Sequence, residues 1–161
     1  MRYAVVVSIK NKTIQPINFV STDATLTNFD QLKGQWIVLY FYPKDNTSGC
    51  TKEAQDFSEK ISTFKEKNTF ILGVSRDTLK SHVNFIKKIN IQYPLISDTD
   101  ESLCQYFNVI KEKSLYGKKY MGIERSTFII DNQGVLREEI RNVKVAGHVA
   151  QVLEIITTLQ G

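Results

Sequence analysis

Apolar and polar positions along this chain fall into blocks that switch between two periods. Trp36 to Tyr42 (WIVLYFY) is a continuous apolar run closed by Pro43. A run of that length, rich in β-branched and aromatic side chains, predicts a central strand covered on both faces. From Cys50 to about Lys65 the apolar residues Ala54, Phe57, Ile61 and Phe64 recur every three or four places, the spacing of one helical face. Thr69–Val74 (TFILGV) predicts a second buried strand. Beyond it Leu79, Val83, Ile86 and Ile89 mark another helical face, with Asp77 placed to cap its start. Pro94–Ser97 predicts a short strand, and Asp100–Phe107 a short helix carrying Leu103, Cys104 and Phe107. Arg125–Ile130 and Val135–Ile140 read as strands around Asn132-Gln133-Gly134, a hairpin signal. Val149, Val152, Leu153, Ile156 and Leu159 outline a closing helix, and Tyr3–Ile9 and Ile14–Phe19 predict short strands at the front.

Strands alternating with helices, then a hairpin, then a helix, predict an α/β fold with a mixed central sheet flanked by helices. The order matches a thioredoxin-like core with an N-terminal strand extension. No repeat, low-complexity tract or Pro/Gly/Ser linker divides the chain, so residues 1–161 are expected to form a single domain.

Composition narrows the class. Hydrophobic residues make up 42% and charged residues 24%, ordinary values that argue against long disorder. The longest apolar run is far short of the ~20 residues that span a bilayer, and no signal-peptide pattern is present, so a cytoplasmic protein without a membrane partner is expected. Two cysteines exclude a disulfide scaffold and a multi-cysteine zinc site; in a cytosol both are expected to be reduced. A net charge of +4 without strong clustering gives no reason to expect a nucleic-acid partner. The basic run Lys111–Lys119 (KEKSLYGKK) reads as a solvated loop, and His82 and His148 as solvated or capping residues. Neither histidine has carboxylate or thiol neighbours at metal-ligand spacing, so no metal or organic cofactor is expected.

One stretch carries chemistry. YFYPKDNTSGCTKE, residues 40–53, leaves the C-terminal end of the buried strand and enters a helix, where reactive groups of α/β sheets collect. Cys50 falls in the first helical turn. There free backbone N–H groups and the positive end of the dipole favour a thiolate, the nucleophilic form. A buried, inert cysteine is the plain alternative. A disulfide oxidoreductase wants C-x-x-C; this chain has Thr47-x-x-Cys50. A phosphatase loop wants an arginine six residues on, where Asp56 stands. A cysteine protease needs a histidine base that only an unseen fold could supply. A threonine three residues before a thiolate suits an oxygen-bearing substrate held beside the sulfur.

The stretch resembles the peroxiredoxin active-site motif P-x-x-x-T-x-x-C, and in detail the bacterioferritin comigratory protein (peroxiredoxin Q) group. GVSRDTLKSH (73–82), PLISDTDESLCQYFNV (94–109), GIERSTFIID (122–131) and VKVAGH (143–148) extend the resemblance from about Ile17 to the end of the chain. Ser48 departs from it, standing where the family usually has proline. The resemblance implies a thiol-dependent peroxidase acting on hydrogen peroxide and organic hydroperoxides. Cys50 would attack the O–O bond and become a sulfenic acid. Thr47 would hydrogen-bond the peroxide, Pro43 would shield the sulfenate from water, and Arg125 would meet the loop across the pocket. Many relatives carry a resolving cysteine five residues after the first, here Gln55, or in the next helix, near Phe85-Ile86. The expectation is therefore a one-cysteine enzyme, a monomer, reduced by an external thiol: thioredoxin, glutaredoxin or a small thiol. Alternatives are a Cys104-resolved two-cysteine peroxidase, a thiol oxidoreductase of the same fold, or a binding module. Glu53, in the first helical turn, reads as structural.

Overall fold

The computed structural model describes residues 8–161. A six-stranded mixed sheet runs in the order β1-β4-β3-β2-β7-β8. Its members are β1 (Val20–Ser21), β2 (Trp36–Phe41), β3 (Thr69–Ser75), β4 (Leu95–Ser97), β7 (Ser126–Ile130) and β8 (Leu136–Ile140). β2, β3 and β4 are parallel neighbours; β1, β7 and β8 pair antiparallel. Every residue of β2 is buried, as the unbroken apolar run requires of a strand covered on both faces.

The pleat of β2 sorts the core into two layers. Trp36, Val38, Tyr40 and Tyr42 point to one face, where they meet helices α1 (Ser48–Glu59), α2 (Ile61–Glu66), α3 (Leu79–Ile89) and α5 (His148–Gln160) through Phe57, Phe64, Phe85 and Val152. Ile37, Leu39 and Phe41 point to the other. There they meet the 3-10 turn Phe29–Leu32 and helix α4 (Ser102–Tyr106), with Leu103, Cys104 and Phe107.

Several expectations need correction. The Tyr3–Ile9 strand falls largely outside the described residues. Ile14–Phe19 is not a strand: Thr13 makes an isolated bridge to Val135, and Pro16, lacking an N–H, interrupts any ladder. The sheet's N-terminal strand is instead β1. The helix expected over Cys50–Lys65 starts earlier, at Ser48, and breaks at Lys60; the apolar spacing runs in register across the break, so the pattern could not mark it. Thr78, not Asp77, caps α3, accepting from Ser81 N at 3.2 Å. The basic run is no loop. β5 (Ile110–Leu115) and β6 (Lys118–Ile123) form an antiparallel hairpin turned by Tyr116 and Gly117, both at positive φ. Its strands lack apolar alternation, and Tyr-Gly is not a usual turn pair, so no signal announced it. His82 and His148 are both buried.

Candidate active site

β2 ends at Phe41, and Pro43 stops the strand just beyond it. The chain turns through Asn46, held at φ 65°, into α1, which begins at Ser48. Serine fits that first helical position, the one proline also favours, so the departure from the family motif leaves the helix start intact. Cys50, third residue of α1, is 1% exposed and faces the aromatic layer.

Arg125 follows β6 and precedes β7. Its Nη2 lies 3.3 Å from Cys50 Sγ, and its Nη1 donates to Glu53 Oε1 at 2.6 Å. One guanidinium thus forks over two side chains that α1 presents one turn apart. Gly49 makes room: a Cβ there would stand 3.2 Å from Nη2. A cation against the sulfur stabilises negative charge on it. Burial works against the arginine's own charge, and Glu53 with Cys50 outweighs it, leaving Arg125 more firmly protonated than usual.

Glu53 has no solvent-exposed side-chain surface, and its Oε2 has no hydrogen-bond partner. Burial pushes its carboxyl up to about 7, against the pull of Arg125. Sequence reasoning gave Glu53 only a structural place. The signal available was an acidic residue one helical turn beyond the cysteine, with nothing to say which cation it meets.

Thr47 stands exposed at the head of α1, and its Oγ1 donates to Lys44 O at 2.9 Å. With its proton so used, the hydroxyl oxygen is left to accept from a bound molecule. Pro43 is half-buried at the strand exit. The structure therefore brings Cys50, Arg125 and Glu53 into contact and sets Pro43 and Thr47 on the turn leading to them.

Cys104 is fully buried in the opposite layer, and its backbone N–H donates to Asp98 Oδ2 at 2.8 Å. Burial, with Asp98 beside it, raises its thiol well above the usual range. The sheet separates the two sulfurs. Among the described residues no helix is long and apolar enough to cross a membrane.

A buried cysteine at a helix start, forked by an arginine at the strand ends of a thioredoxin-like sheet, defines a thiol peroxidase of that fold. The chain belongs to the AhpC/TSA family, whose model matches residues 10–139, and within it to the peroxiredoxins. It is similar to peroxiredoxin Bcp of Xanthomonas campestris pv. campestris, 51% identical over 129 residues that cover 80% of this chain and 81% of that one. It is 50% identical to Bacillus subtilis peroxiredoxin Bcp over 122 residues, 76% and 78% of the two chains. Among solved structures, Xanthomonas campestris bacterioferritin comigratory protein superposes with a TM-score of 0.85 at 45% identity, covering 89% of this chain and 92% of that one. A cysteine-to-serine mutant of Xylella fastidiosa PrxQ gives 0.91 at 38% identity, covering 98% and 100%.

Proposed function

We propose that this peroxiredoxin works as a single domain, as a monomer, and carries its chemistry on Cys50, Thr47, Arg125 and Pro43. The Cys50 thiolate attacks the terminal oxygen of a hydroperoxide. The S–O bond forms as the O–O bond breaks; sulfur is oxidised to the sulfenic acid and the distal oxygen leaves as water or an alcohol after taking a proton. The observation that carries this is the 3.3 Å contact of Arg125 Nη2 with Cys50 Sγ at a helix start. The same guanidinium is placed for the charge that develops on the leaving oxygen. Thr47 accepts from the peroxide O–H, and Pro43 keeps water from the sulfenate. Hydrogen peroxide and organic hydroperoxides are both substrates; the Xanthomonas relative has been studied for alkyl peroxide reduction.

The sulfenic acid is resolved by an external thiol, which condenses with it to a mixed disulfide and water; a second thiol then frees Cys50. Thioredoxin, glutaredoxin and small thiols all supply that chemistry. Supporting this, Cys104 lies in the other core layer, and Gln55, Phe85 and Ile86 stand where relatives carry resolving cysteines. The test is intact-protein mass spectrometry after one equivalent of hydrogen peroxide with a sulfenic-acid trap, on wild type and Cys104→Ser. Rapid trapping at Cys50 in both, with full thiol-dependent turnover, is expected. A Cys50–Cys104 disulfide in the wild type would refute external resolution, and a Cys50 no faster than a free thiol would refute its peroxidatic role.

A further inference from the structure

We propose that the buried Asp45–His82 pair is a positioning device for the Cys50 site, a latch that holds the Pro43–Thr47 turn in the geometry that attack requires. The inference rests on the peroxidase reading above.

His82, on α3, is wholly buried. Its Nδ1 lies 2.7 Å from Asp45 Oδ2 and its Nε2 lies 2.9 Å from the carbonyl oxygen of Ile96 in β4. A carbonyl only accepts. Asp45, its carboxyl held below the ordinary range by bonds from His82, Tyr42 and Ser81 against the pull of burial, is a carboxylate and also only accepts. Each ring nitrogen therefore faces an acceptor, and the ring is held between two elements. Asp45 takes two further bonds, from Tyr42 OH at 2.6 Å and Ser81 Oγ at 2.8 Å, and its own N–H donates to Asp77 Oδ2 at 2.9 Å. One carboxylate oxygen each of Asp45 and Asp77 and one ring nitrogen of His82 lie within 4.8 Å of one another. Both nitrogens and both Asp45 oxygens are already engaged, so the cluster is a hydrogen-bonded latch and not a cation site.

A buried polar pair of this kind is a poor source of stability, since well-packed apolar residues usually do as well. This one does something that packing does not. Among the described residues, every side-chain hydrogen bond that ties 43–47 to a distant part of the chain is made by Asp45. Lys44, Asn46, Thr47 and Ser48 are exposed, and Thr47 bonds only within the turn and to the helix it heads. Asp45 is two residues before Thr47 and five before Cys50. Release of its carboxylate would leave the backbone N–H of Asp45, on Asp77 Oδ2, as the one hydrogen bond from 43–47 to a distant side chain among the described residues.

The experiment compares Asp45→Asn, His82→Gln and the double variant with wild type, and with Leu136→Ala, a cavity variant in the opposite core layer. Three quantities are read: the second-order rate of Cys50 oxidation by hydrogen peroxide, amide hydrogen exchange over 45–51, and urea stability. Misplacement of reacting groups by about 1 Å costs on the order of 10²-fold. Each latch variant is expected to lose at least about tenfold in rate on that scale, the double variant no more than either single one, with faster exchange over 45–51. Leu136→Ala should lose stability and keep the wild-type rate. Wild-type rates in folded latch variants, or an equal rate loss in Leu136→Ala, would overturn the proposal. If His82→Gln does not fold, Ser81→Ala, which removes one bond to Asp45, takes its place in the comparison. If wild-type Cys50 itself proves unreactive, the peroxidase reading fails, and unchanged exchange over 45–51 in the variants would then sink the latch separately.

Discussion

Replacing Glu53 by glutamine should remove a pH dependence from the stability of this protein. The carboxyl titrates near 7 in the folded state, because burial outweighs the attraction of Arg125, against an ordinary value of 4.5. Between those two pH values the folded chain keeps a proton that the unfolded chain has already released. The native state binds more protons there, so this group makes stability fall as pH rises from about 4.5 to about 7, with no further change above. At about 1.4 kcal/mol per pH unit the full effect is roughly 3 kcal/mol. Glutamine has the same shape, can still accept from Arg125 Nη1, and titrates nothing. The stability of Glu53→Gln relative to wild type should therefore rise through that window by up to roughly 3 kcal/mol. Urea unfolding of both proteins at pH 4.5, 6, 7 and 8 reads it directly, and taking the difference cancels the other carboxylates, Asp45 included. A pH-independent difference would refute the reasoning. So would a variant that loses ground as pH rises, since the ion pair with Arg125 would then outweigh the burial of Glu53.

Two further perturbations test the site and the packing beneath it. Arg125→Lys offers one compact cation where the guanidinium forks between Glu53 and Cys50; oxidation of Cys50 should slow by about 10²-fold, read by stopped flow, and an unchanged rate would remove Arg125 from the reaction. Gly73→Ala puts a methyl group 2.8 Å from Leu95 Cδ2 and 2.9 Å from Tyr40 Cζ, both in the buried layer beneath α1. It should destabilise by about 1–3 kcal/mol, and an unshifted Tm would contradict the close approach.

What was legible in the sequence follows from what hydrophobicity can encode. β2 announced itself because a doubly covered strand has no polar face to hide it. The cysteine at its exit followed, because a helix start has a recognisable grammar. The β5–β6 hairpin was invisible for the opposite reason: its strands are polar and half-exposed, and only the positive φ of Tyr116 and Gly117 makes the turn. Asp45, Glu53 and His82 escaped differently. A charged or titratable side chain reads as surface, and what buries each of these is a partner far along the chain. Arg125 lies 72 residues beyond Glu53, and His82 lies 37 beyond Asp45. No local pattern carries that information.

Those two buried pairs share a location. Glu53 belongs to the first two turns of the helix that carries Cys50, and Asp45 to the turn that leads into it, both at the C-terminal end of β2. His148, the other buried histidine, bonds neutral partners, Thr127 Oγ1 at 2.7 Å and Gln151 Oε1 at 3.4 Å, and burial lowers its tendency to take a proton. Asp98 spends its carboxylate on backbone N–H groups of α4. Paired ionisable side chains in the interior thus collect on the segment that carries one thiol, where apolar replacements would serve stability as well or better. A fold selected for stability alone gives no reason for that clustering; a site that must hold an arginine against a sulfur, and hold the turn before it still, does. The two pairs divide that work. Glu53 fixes the cation from the helix side, Asp45 fixes the turn from the strand side, and Cys50 falls between the two in the chain.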